Sequence, residues 1–121
     1  MGTFSKILLS GSTDGEGIAI TGTSASTGTV LHTAVTGSAD SIDEVFVYAH
    51  NVATTNSEIA IVVGPTTAPL SKYTFTITGG DLNGLHLIHP GLPVRNAKTV
   101  IAFATAASRI LVMGYVNRFV S

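Results

Sequence analysis

Four histidines, His32, His50, His86 and His89, are the side chains of this sequence that could bind a transition metal through nitrogen, and with no cysteine present no thiolate can assist them. His86 and His89 lie three apart, a spacing that on a strand sends them to opposite faces and keeps them from chelating one ion. His32 and His50 fall on separate expected strands, so all four are read as satisfied or exposed histidines and not as ligands. Nucleophilic catalysis needs a serine beside a histidine that a carboxylate orients. Serines are plentiful, but no G-x-S-x-G elbow occurs. A carboxylate pair for glycoside chemistry would come from Asp14, Glu16, Asp40, Asp43, Glu44, Glu58 and Asp81, most of them at expected turns or strand starts, where such residues are ordinary. The expectation is a protein that is not an enzyme, with no catalytic residue, no metal and no cofactor.

The glycine-rich "GSTDGEG" at 11–17 invites a phosphate-loop reading and fails it. It lacks the G-x-G-x-x-G spacing and the Gly-Lys-Ser/Thr of a Walker loop, and no helix is expected after it. Asp14 and Glu16 supply too few oxygen ligands for a calcium loop. A β-turn between two strands accounts for the segment.

The elements that would position these residues are short apolar runs separated by Gly, Ser, Thr, Asn and Pro, the spacing of a sandwich or barrel. Strands are expected near 5–10, 16–22, 28–36, 42–51, 57–63, 71–78, 84–89, 98–104 and 109–119. No window carries the apolar i, i+3, i+4 pattern of a capped helix. In "KYTFTIT", Tyr73, Phe75 and Ile77 share one face opposite Lys72, Thr74, Thr76 and Thr78, which marks a strand with one wet side. "GPTTAP", "GGDLNG" and "HPGLP" read as turns, since proline fixes φ and Asn-Gly accepts positive φ. "TGTSASTGT" reads as a loop or strand edge. The fold class expected is all-β: one domain over residues 1–121, an antiparallel two-sheet sandwich of about eight or nine strands, jelly-roll-like.

Three strands break the one-wet-side rule. In "SIDEVFVYAHNV", Val45, Val47 and Ala49 oppose Ile42, Phe46 and Tyr48; "KTVIAFAT" and "RILVMGYVNRF" are likewise apolar on both faces. A core covers one face of each. Either a loop or a partner covers the other, and composition favours the partner. Charged residues make up 11% of the chain against roughly 25% in an average soluble protein, so much of the exterior is neutral. Such a surface resists association poorly. A homo-oligomer is expected, with Phe46, Tyr48, Phe103, Met113 and Tyr115 at the contact, where lysine at Phe46 or Phe103 would dissociate it.

The formal net charge of -1 gives no general attraction to nucleic acid or to an anionic membrane, and neither is an expected partner. No apolar run reaches the ~18 residues of a membrane span. Ile7, Leu8 and Leu9 are too short a run for a signal-peptide core, and Lys6 stands where a myristoylation signal has Ser or Thr. The product is expected to be made in the cytoplasm without a cleavable address.

The segments "KILLSGSTDGEGIAI", "LHTAV", "DEVFVYAHNV", "VGPTTAP", "LHLIHPGLPVRN" and "VMGYVNRF", in this order and over most of the chain, resemble small virion structural proteins of tailed bacteriophages. The resemblance implies a non-enzymatic β-sandwich located on the virion. It implies a capsid decoration (cement) protein that binds the major capsid protein and stabilises the head shell as an oligomer, a trimer favoured. The alternatives are a neck, collar or tail-associated subunit, and, from another class, a carbohydrate-binding module, which the lack of tryptophan opposes. Segment 1–10, with Phe4 and Lys6, and the C-terminal Arg118, Phe119 and Val120 are the expected capsid-docking elements, because terminal segments can add strands to a partner's sheet.

Overall fold

A computed structural model describes residues 2–37, 40–64, 71–80 and 84–121. Among these the chain forms β1 (Thr3–Leu8), β2 (Ile18–Ala19), a single 3-10 turn (Ala25–Thr27), β3 (Thr29–Thr33), β4 (Ile42–Asn51), β5 (Ser57–Val63), β6 (Lys72–Ile77), β7 (His86–Val94), β8 (Thr99–Ala104) and β9 (Ile110–Val120). Every pairing is antiparallel. One sheet has the order β1-β9-β4-β7, with β2 on β9, and the other has the order β3-β8-β5-β6. β4 occupies one edge of β9 along its length, from Ile42 opposite Phe119 to Asn51 opposite Ile110. β1 and β2 therefore share the other edge and act as one interrupted strand. The connections leaving β2, β3, β4, β6, β7 and β8 each cross from one sheet to the other, and only β5 and β6 form a hairpin within a sheet. This interleaving of two four-strand layers is the jelly-roll arrangement.

The alternation visible in the sequence builds the core. Val45, Val47 and Ala49 of β4 and Val112 and Val116 of β9 meet Ile59 and Ile61 of β5, Val100, Ala102 and Ala104 of β8, and Leu31 of β3, all of them buried. Leu9 and Ile20, each one residue past the end of β1 and β2, close the same cluster. Each large side chain sequestered this way contributes about 1.5–3 kcal/mol. Gly114 faces inward on β9, where a Cβ would lie 3.2 Å from the Leu9 side chain and far too close to the Phe46 carbonyl oxygen. Asn51 pins the exit of β4: its amide donates to the carbonyls of Thr55 and Ile77 and its oxygen accepts from the Ala53 N–H.

Three expectations about local structure need correction. "HPGLP" is not a turn. β7 runs through it to Val94, and its pairing with β4 slips between Val45 and Phe46 and again between Val47 and Tyr48. β7 is an edge strand, where a proline without an N–H costs no ladder bond if it faces away from the neighbour, and bulges absorb the extra residues. His89 thus lies within a strand and is buried, not at a strand end. The second expected strand, 16–22, shrinks to Ile18–Ala19. "GSTDGEG" is the expected turn, with the Glu16 N–H on the Thr13 carbonyl and positive φ at Asp14 and Gly15. "GPTTAP" (beyond Gly64) and residues 81–83 of "GGDLNG" lie outside the described residues.

Candidate docking face

The outward side chains of the β1-β9-β4-β7 sheet form ordered rows. Phe46 lies opposite Tyr115, and their rings stack at 4.8 Å with planes 12° apart. Tyr48 lies opposite Met113, and His50 opposite Leu111. On β1, Phe4 meets Phe119 ring to ring at 4.7 Å, and the Lys6 ammonium sits 4.8 Å from the centre of the Tyr115 ring. The Phe46 ring covers Gly91, whose φ of +76° marks the bulge in β7 and where a Cβ would lie 2.5 Å from the ring. Much of this face is open: Phe4 is 79% exposed and Leu8, Leu85 and Leu87 each about half exposed. At one end His50, Leu85, Leu111 and Met113 line an apolar cleft of about 220 Å³, with His50 Nδ1 on the Gly84 carbonyl.

The structure gathers four of the five expected contact residues, Phe46, Tyr48, Met113 and Tyr115, on this one face, and brings Phe4, Lys6 and Phe119 of the expected docking termini to the same face. Phe103 is not with them. It projects from β8 on the outer side of the other sheet, opposite Ala60 and beneath the Lys72 ammonium. That side is largely closed: Ala60, Val62 and Ile101 point away from the core yet are buried, and the Ala25–Thr27 turn packs against β8. Loop cover thus explains one two-faced strand and leaves the other two open.

Arg118 also departs from its expected docking role. It points inward, where Nε donates to Asp43 Oδ1 at 2.8 Å and a terminal nitrogen to Oδ2 at 2.9 Å. Asp43 Oδ2 accepts two more hydrogen bonds, from His32 Nε2 at 2.7 Å and from the Val35 N–H at 3.0 Å. The Ser10 N–H donates to His32 Nδ1, which fixes Nδ1 as an acceptor and places the ring proton on Nε2. Burial pushes the Asp43 carboxyl up, but the Arg118 and His32 hydrogen bonds and the Arg118 charge outweigh it and hold the group below its usual range. Serine, histidine and aspartate meet here without forming a nucleophile site. Ser10 offers its backbone, its hydroxyl accepts from the Thr33 N–H at 2.7 Å, and His32 and Asp43 have no exposed surface. The cluster ties β3 of one sheet to β4 and β9 of the other. Sequence reading left it unseen because its members are joined only by the fold.

Of the remaining histidines, His86 and His89 do not take the opposite faces that their spacing predicts. The slip in the β4-β7 pairing between Val47 and Tyr48 absorbs one residue and sets His89 opposite Val47 and His86 opposite Ala49, on the same side of the sheet, with His86 exposed and His89 buried. The Tyr73 hydroxyl of β6 hydrogen-bonds His89 Nδ1 of β7, closing the sandwich between its two edge strands, and the rings lie parallel at 5.8 Å. Burial pushes the Tyr73 hydroxyl up to about 12 and the His89 imidazole down. Among the described residues no group of three or more His, Cys, Asp or Glu side chains could hold a metal ion. No helix of the described residues is long and apolar enough to cross a membrane.

No protein-family model, no curated protein sequence and no solved structure matches the chain.

Proposed function

We propose that this chain is a structural subunit of a tailed-phage particle, a decoration (cement) protein that binds the assembled head shell and reinforces it. The observation that carries the reading is the uncovered apolar face around the stacked Phe46 and Tyr115, flanked by Leu8, Leu87 and Met113. A face of this kind on a small, weakly charged domain suits a subunit that packs against other protein, its own copies included, as the members of an assembled particle do. The resemblance of the strand and turn segments to small virion proteins supplies the particle as the setting. A subunit that bridges neighbouring capsomers binds only the closed lattice, so it stabilises that lattice by mass action. Many copies add their effects through avidity.

The test is to mix the purified chain with heads lacking it and to count bound copies by quantitative gel analysis. Hundreds of copies per head, with a raised temperature of head disruption, support the cement reading. About a dozen copies at one vertex would move the protein to the neck. No binding to heads or tails would remove it from the particle.

A further inference from the structure

The open face carries two exposed charges whose positions make it complementary to itself. Asn117 of β9 lies opposite Lys6 of β1 on one side and opposite Glu44 of β4 on the other, so cation, amide and anion stand in one row across three strands. We propose that this face binds a second copy of the chain through a two-fold axis running along β9. Such an axis exchanges the β1 and β4 columns and keeps each row opposite itself. Lys6 of each copy then stands over Glu44 of the other, and Leu8 over the Phe46 ring. Phe4, the most exposed large apolar side chain among the described residues, covers Ile42 of the other copy. Met113 and Tyr115 lie on the axis and meet their own counterparts. A single patch packing on itself is isologous, which generates a dimer and not the trimer expected from the sequence.

Size sets the strength. With strands ~4.8 Å apart and ~3.3 Å per residue, β9 and β4 running together from Leu111 to Phe119 and β1 and β2 flanking all of that stretch but Met113 and Gly114 present ~400 Å² of flat area per copy, ~800 Å² for the pair. Side-chain relief raises this toward the ~1,000 Å² at which specific interfaces begin. An interface of this size belongs with the small, transient ones, and its rim charges set its register more than its affinity. The inference rests on the same face as the proposed function and names its occupant as a second copy, which leaves the shell to be met by the rest of the dimer's surface: a monomeric chain that still binds heads would overturn the dimer alone, and a dimer that ignores heads would overturn only shell binding.

The experiment is sedimentation equilibrium of the full chain at ~10–200 µM, with circular dichroism confirming that each variant is folded. The wild type is expected to give a monomer–dimer equilibrium. Lys6→Glu places Glu over Glu and Glu44→Lys places Lys over Lys, so each variant alone dimerises about tenfold more weakly. Their equimolar mixture restores wild-type affinity as a heterodimer, since both cross pairs are again opposite in sign. A rescue within one chain could not do this. A monomer throughout the range, a trimer, or single variants that dimerise as well as the wild type and gain nothing on mixing would each overturn the proposal.

Discussion

Arg118 grips Asp43 side-on, with both oxygens of the carboxylate engaged, although the two residues are 75 positions apart in the chain. Such a bidentate pair is directional as well as charged. With His32 as the third member it fixes the β4-β9 register and the approach of β3 from the facing sheet.

Asp43→Ala is expected to destabilise the fold by about 3–5 kcal/mol, since it strands a partly buried guanidinium, an imidazole N–H and the Val35 N–H at once. Urea unfolding followed by circular dichroism measures this, and a loss under about 1 kcal/mol would mean that water substitutes for the carboxylate.

The Asp43 carboxyl is held below its usual range in the fold, so its contribution is fully present above the unfolded value of about 4 and is lost as pH falls through the folded value. Melting temperature recorded from pH 7 to pH 2 should fall more steeply below pH ~4 for the wild type than for Asp43→Asn.

His89 works at a higher pH. Burial lowers its affinity for protons, so the unfolded chain binds a proton that the folded one refuses, and stability declines as pH falls below about 6.5. Replacing His89 with glutamine should flatten the profile between pH ~5 and ~7. At the alkaline end the folded Tyr73 hydroxyl titrates at about 12, so its contribution is lost as pH rises above the unfolded value of about 10. Tyr73→Phe should remove that alkaline loss.

Gly91→Ala combines positive φ with a Cβ only 2.5 Å from the Phe46 ring. A cost of about 1–3 kcal/mol is expected, together with a changed near-ultraviolet signal from the displaced Phe46–Tyr115 stack. Alanine at exposed Gly37, which also has positive φ but no atom nearby, separates backbone strain from the clash.

Phe46→Lys should weaken self-association measured by sedimentation, whereas Phe103→Lys should leave it unchanged, because the two residues lie on outer faces of different sheets. Equal effects from both would return Phe103 to the contact.

Strand character and facing are local properties, and the sequence by itself determined them. A two-residue period with β-branched residues on one side places Val45, Val47 and Ala49 inward and Phe46 and Tyr48 outward, and the bounds of β4 and β5 follow from the same pattern. Pro90 and Pro93 mislead because a proline means a stop in a central strand and is tolerated on an edge, and only the assembled sheet makes β7 an edge. Strand order is likewise tertiary. It separates Phe103 from Phe46, sets Lys6 and Glu44 on either side of Asn117, and brings Arg118, inward by its alternation with Val112 and Val116, opposite Asp43. Periodicity states which residues share a face of their own strand. Which strands lie side by side depends on non-local pairing, where burial and hydrogen bonds from distant segments are satisfied together.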